Sequence, residues 1–126
     1  MIHLDSNFLI DGVAPETSET AEIAAWLGAG ELIACSSVVW VEFLKGPMQP
    51  DHERVARDRL LIGGILPFDE EQAALASRLF NLTGRRRALK FDCLVAAAAI
   101  TSGARLATRN TEDFLPFVPH GLQLAT

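Results

Sequence analysis

Phe91-Asp92-Cys93-Leu94-Val95-Ala96-Ala97-Ala98-Ala99-Ile100-Thr101-Ser102-Gly103-Ala104-Arg105-Leu106-Ala107-Thr108 is the stretch that decides the fold class. Its first part is apolar on every side and rich in alanine, the best helix former. A helix over Phe91–Thr101 has no wet stripe and must pack closely on other elements. Gly103 ends it, and Arg105–Thr108 reads as a strand. A helix delivering the chain straight into a strand is what a parallel crossover requires.

The same alternation runs outward in both directions. Ile2–Asp5 reads as a first strand, with a brief helix over Asn7–Gly12. Pro15 and the cap signals Thr17 and Ser18 open a helix over Glu19–Leu27, closed by Gly28 and Gly30. Leu32–Cys35 is a second strand. Ser36 or Ser37 caps a helix through Leu44, stopped by Gly46-Pro47. Asp51–Ile62 is amphipathic and ends at Gly63-Gly64, and Ile65–Phe68 is a third strand. Asp69 caps a helix with Glu70 and Glu71 in its first turn, where the dipole favours acid. Gly84 closes it. Beyond the fourth strand come a short helix over Thr111–Phe114 and an edge strand over Leu122–Leu124. No repeat or linker interrupts the chain, so one domain over 1–126 is expected. The class is α/β, with a mainly parallel sheet of four to five strands covered on both faces. In such sheets ligands gather beyond the carboxyl ends of the strands.

Composition narrows the function classes. Hydrophobic residues make up 49% and charged ones 21%, which is globular rather than disordered. The longest apolar run, Cys93–Ile100, is too short to span a bilayer. The start of the chain has no basic segment or cleavage signal, and a cytoplasmic location is expected. Cys35 and Cys93 sit in apolar segments and read as reduced core residues. A net charge of −5 opposes non-specific binding to nucleic acid. Bound divalent cations would offset most of that charge, and Arg85, Arg86, Arg87 and Lys90 form a basic cluster.

Three acids interrupt apolar sequence: Asp5 after Ile2-His3-Leu4, Glu42 within Val38–Leu44, and Asp92 before Cys93-Leu94-Val95. A carboxylate among apolar side chains must be paired, protonated or bound to metal. Each acid also has a structural reading. Asp5 and Asp92 suit helix caps, and Lys90 or Arg87 can pair with Asp92. Glu42 can face solvent or pair with Lys45, although it lies past the turn where a cap would act. Taken together, at places a parallel sheet brings near one another, they favour a metal site. Thr108, Asn110 and Asp113 offer further oxygens, direct or through water. His3, His52 and His120 lack metal-ligand spacing and read as structural or exposed. Trp26 and Trp40 read as core or interface. There is no Gly-x-Ser-x-Gly elbow, no phosphate-binding Gly-x-x-x-x-Gly-Lys loop and no Cys-x-x-Cys. A phosphatase reading is poor, because Asn7 stands where the first strand would need a second acid.

Leu4-Asp5-Ser6-Asn7, Glu42-Phe43, Asp92 opening its alanine-rich helix, and Leu106-Ala107-Thr108-Arg109-Asn110 before Asp113-Phe114 together resemble the PIN domain. More closely, the chain resembles VapC-type toxins over its whole length. The resemblance implies a compact three-layer α/β/α domain whose acidic pocket binds Mg²⁺ or Mn²⁺. It also implies an endoribonuclease that cuts RNA by metal-activated water. Asp5, Glu42 and Asp92 match the three central acids. The family often has aspartate where Asn110 stands, which leaves the fourth ligand open between Asn110 and Asp113. The roles that follow are orientation of water by Ser6 and phosphate contact by Arg85, Arg86, Arg87, Lys90 and Arg109. The implied partners are an RNA substrate, a cognate antitoxin and a second copy in a homodimer. A homodimer is also suggested by Trp26, Leu27, Val39 and Trp40, which exceed what one small core needs. The alternative is a PIN-like module that binds RNA or protein without catalysis, favoured only by Asn110.

Overall fold

A computed structural model describes residues 1–46 and 49–125. Strand β1 (Ile2–Leu4) is the centre of a five-stranded sheet. On one side lie β2 (Ile33–Ser36) and then β3 (Gly64–Leu66). On the other lie β4 (Arg105–Ala107) and then β5 (Gln123–Leu124). Every pairing is parallel, with Ile2 level with both Ile33 and Arg105. The strands therefore all end at the same edge. The residues leaving that edge are Asp5 after β1, Ser37 after β2 and Thr108 after β4.

Helices fill the crossovers: α1 (Ser6–Gly12), α2 (Ser18–Gly28), α3 (Ser37–Lys45), α4 (His52–Val55), α5 (Glu70–Leu82), α6 (Lys90–Thr101) and α7 (Thr111–Phe114). The expected caps are in place at Thr17, Ser36 and Asp69, whose side chains accept backbone N–H groups of Thr20, Val38 and Gln72. The result is a three-layer α/β/α fold. Helix α6 is its hub, packing on α5, α3, α7, β2 and β4. Ala96 to Ala99 are all but inaccessible, which is why this helix carries alanine: side chains of one carbon let its backbone approach neighbours on every side. Phe8, Phe43, Phe114 and Phe117 fill the spaces between helices and sheet.

Several elements depart from the sequence reading. The amphipathic segment Asp51–Ile62 is not one α-helix. It is α4 followed by a wider π-helical turn, Ala56–Leu60, closed by the Leu61 N–H donating to the Ala56 carbonyl. That turn directs Ala56 and Leu60 into the core. Strand β3 stops at Leu66, because the Phe68 N–H is taken by the Ser37 hydroxyl instead of a neighbouring strand. A 3-10 turn over Arg87–Leu89 precedes α6, so Leu89 stands at the cap position and Asp92 lies inside the first turn. The cap reading of Asp92 is thereby corrected. Gly46 caps α3, while Pro47 lies outside the described residues. Val39 and Trp40 are buried within the chain, and the Arg57 guanidinium lies over Trp40. They complete this core, so they do not argue for a second copy. Among the described residues no helix is long and apolar enough to cross a membrane.

The packing of α6 makes a direct prediction. Ala97→Leu forces three extra carbons into filled space and should cost about 1–3 kcal/mol. Leucine at the exposed Ala88 should change stability by less than about 0.5 kcal/mol. Urea titration compares them, and equal midpoints for the two variants would contradict this role for α6.

Candidate functional site

Asp5 follows β1 and is only 5% exposed. Its N–H still bonds the Ala107 carbonyl, so the ladder holds its backbone. One carboxylate oxygen accepts the Ser6 N–H at 2.8 Å and caps α1. The other accepts the Thr108 hydroxyl at 2.8 Å, from the residue after β4. The Thr108 hydroxyl oxygen in turn accepts the Asn110 N–H at 3.0 Å. Asp5 is therefore a helix cap, as its sequence position suggests, and it is also buried. Burial pushes its carboxyl above the ordinary range despite these bonds, and the nearby charge of Asp113 adds to the push. Beside it, the Ser6 hydroxyl oxygen is buried with no hydrogen-bond partner among the described residues.

Asp92 enters from the first turn of α6 and is partly buried. Its carboxyl is pushed up to about 6, first by burial and then by the charges of Asp5 and Asp113. Asp113 comes from α7, which packs on α6. Three carboxylates thus converge on one edge of the sheet and repel one another. As the side chains stand, no three His, Cys, Asp or Glu among the described residues enclose a metal position. The donor chemistry nevertheless fits a hard divalent cation. The set is all oxygen, no Lys or Arg among the described residues pairs with it, and beside it lies the Ser6 hydroxyl, which has no hydrogen-bond partner among those residues. Mg²⁺ takes one or two carboxylates and keeps several waters, so it needs no complete protein cage.

Of the alternatives open for Glu42, the structure shows the one in which it meets solvent and pairs with Lys45. In α3, Val39, Trp40 and Phe43 turn inward while Val41 and Leu44 are exposed. Glu42 shares that outer side at 39% exposure, paired with Lys45 at 3.4 Å. An exposed pair of this kind is worth about 0.3–0.5 kcal/mol.

The basic residues divide into two groups. Arg86, Arg87 and Lys90 are exposed. Arg85, at a left-handed φ of 56°, lays its guanidinium over Phe80 and bonds Asn81, both in α5. Arg109 is already engaged. It bonds Glu22 and Ser18, lies 3.5 Å from a Glu19 oxygen, and sits over the Phe8 ring. Its guanidinium faces protein acids in this structure. Glu19 is a carboxylate only 7% exposed, and nothing in its sequence context marks it. In sequence it looks like any acid in a first helical turn. His3 is buried, the structural one of its two alternatives, and burial lowers its imidazole to about 4.

The PIN domain family model matches residues 2–115. FitAcB from Neisseria gonorrhoeae is similar in structure at 25% identity, with 100% of this chain and 97% of that one covered and a TM-score of 0.72. A toxin-antitoxin complex from Klebsiella pneumoniae contains a chain 23% identical, with 91% of each covered and a TM-score of 0.69. VapBC2 from Rickettsia felis, bound to a DNA fragment from its promoter, gives 21% identity, coverage of 98% and 97%, and a TM-score of 0.72. Among curated protein sequences no match was found.

The folded Asp92 carboxyl is near 6 against an ordinary 3.8. Its charge therefore opposes folding at pH 7, and the penalty fades as pH falls through 6 toward 3.8. Without divalent cations, Asp92→Asn should be more stable than wild type at pH 7 by on the order of 1 kcal/mol, allowing for partial exposure. The advantage should vanish near pH 4. Thr108→Val should lose about 1–3 kcal/mol, because a buried carboxylate oxygen is left without its donor. Thermal melts in EDTA at the two pH values decide both, and an Asp92→Asn protein less stable at pH 7 would contradict the repulsion.

Proposed function

The chain belongs to the PIN domain family, and from that premise we propose that it is a Mg²⁺- or Mn²⁺-dependent endoribonuclease, the toxin of a toxin–antitoxin pair. The observation that carries the reading is the gathering of Asp5, Asp92 and Asp113 at the carboxyl edge of the sheet, where the charge of Asp113 bears on Asp5 and the charges of Asp5 and Asp113 bear on Asp92. A site that gathers like charges without a basic partner is suited to a cation. The likeness to FitAcB and to the Klebsiella pneumoniae toxin-antitoxin complex supports the toxin assignment.

Each residue has a defined task in this reading. Asp5, Asp92 and Asp113 hold the cation, with Asn110 contributing through water. Glu42 joins them by leaving Lys45, at the small cost of an exposed pair. Thr108 fixes the direction of the Asp5 carboxylate, and the unpartnered Ser6 hydroxyl orients a water. When bound, the cation supplies Lewis acidity toward a phosphodiester oxygen and toward the attacking water. Arg86, Arg87 and Lys90 hold the RNA backbone near the edge from which Asp92 projects, and Arg85 joins them by leaving Asn81. The protein acts in the cytoplasm, where its RNA is, and its partners are an antitoxin and a second copy of itself. Exposed Val41, Leu44, Ile62, Leu82 and Leu115 offer apolar surface for such contacts. A binding-only reading draws on Asn110 and on the Lys45 pairing of Glu42.

Two measurements test the proposal. Mn²⁺ at a hundred times its dissociation constant should stabilise the wild type by about 2.7 kcal/mol. Asp5→Asn and Asp92→Asn should lose that gain, and Glu42→Gln should lose part of it. RNA cleavage should need the cation and fall at least about a hundredfold in Asp92→Asn. Equal cleavage by wild type and Asp92→Asn would point to a contaminant. Metal binding with no cleavage of any RNA would favour the binding-only reading.

A further inference from the structure

Arg109 holds three elements at once. From the end of β4 its guanidinium lies 4.7 Å from the centre of the Phe8 ring in α1. The same group bonds Glu22 and reaches Glu19 and Ser18, all in α2. Phe8 itself stacks on Trp26 of α2, with ring centres 5.6 Å apart. Glu19 and Glu22 are three residues apart and share one face of the helix. They present a pair of carboxylates to one planar cation, and the aromatic ring supplies a floor. A guanidinium is suited to this place because it stacks and forms several directed bonds at once, which an ammonium cannot.

Two routes lead from this contact to Asp5. Through the chain, the residue before Arg109 is Thr108, whose hydroxyl donates to Asp5. Through space, Phe8 lies in the helix that Asp5 caps. Asp5, α1, Phe8, Arg109 and Thr108 therefore form a closed ring of contacts. Asp5 needs such a ring, because it is buried and sits near the charges of Asp92 and Asp113.

We propose that Arg109 is a positioning residue: it clamps α1 and α2 to the end of β4 so that Asp5 and Thr108 keep their geometry, and it does not contact RNA. Only the cation-binding part of the test rests on the proposed function, since the clamp itself is a property of the metal-free protein.

The test compares wild type with Arg109→Gln, Arg109→Lys and the double variant Glu19→Gln/Glu22→Gln. Hydrogen exchange is followed in EDTA, Mn²⁺ binding by the paramagnetic resonance of the free ion, and binding to a single-stranded RNA by anisotropy. Arg109→Gln and the double variant should both speed exchange over residues 5–28 by about tenfold, because charge-assisted bonds are lost. Exchange in α5 and α6 should stay unchanged, which shows that the fold is intact. Both variants should weaken Mn²⁺ binding by about tenfold, and Arg109→Lys should recover only part of each loss. The double variant separates clamp from phosphate contact by sign. A clamp predicts that it behaves like Arg109→Gln, whereas a phosphate-binding arginine freed from its acids would bind RNA more tightly. Tighter RNA binding with unchanged exchange overturns the proposal, as does unchanged exchange in both variants. Faster exchange in a protein whose wild type binds no Mn²⁺ supports the clamp and removes the metal reading of the site.

Discussion

Asp5 stands where the backbone leaves the central strand of a parallel sheet, with β2 on one side and β4 on the other. Its amide is still in the ladder, so its backbone cannot retreat. Its side chain is nearly sealed from water. A charge in that position costs several kcal/mol unless donors or cations meet it. Much of the surrounding structure supplies such partners. The first amide of α1 and the hydroxyl of Thr108 each take one carboxylate oxygen. These bonds do not remove the cost, because the carboxyl remains pushed up.

The remaining acids increase the strain on this arrangement. Helix α6 carries Asp92 toward the same edge because its alanines let it lie deep against the sheet and against α5. The short helix α7 brings Asp113. A fold selected for stability alone has no reason to gather these charges, since replacing one by a neutral isostere removes the repulsion. In the proposed reading the cation supplies the missing balance, and the metal-free protein gives up stability to keep the site open. The Arg109 contacts lie next to this edge and not in it. They spend one arginine and two glutamates on the placement of two helices.

Much of this was legible from the residues, and the exceptions have physical causes. The alanine-rich stretch and its exit into Arg105–Ala107 revealed the crossover, because no other placement suits a helix without a wet face. The caps at Thr17, Ser36 and Asp69 were legible because capping is local. The direction of Glu42 was not: Val38–Leu44 is apolar nearly all round, so periodicity cannot say which side meets water. Asp92 suits a cap in sequence because the 3-10 turn at Arg87–Leu89, which shifts the start of the helix, leaves no pattern there. Glu19 and Arg109 are ninety positions apart, and only tertiary structure pairs them. The widened turn at Ala56–Leu60 has the same apolar spacing as an ordinary helix over so few residues.

In the proposed function the edge formed by Asp5, Asp92 and Asp113 is a cation site. Paramagnetic broadening by substoichiometric Mn²⁺ in an amide NMR spectrum tests it most directly, because the effect falls off steeply with distance from the ion. A cation at this edge removes first the signals of Ser6, Cys93, Asn110 and Phe114. Those of Glu31, Glu53 and Glu70, at other acidic positions of the surface, should persist. Broadening that begins at those glutamates, or that spreads evenly over all exposed acids, would mean that this edge holds no cation.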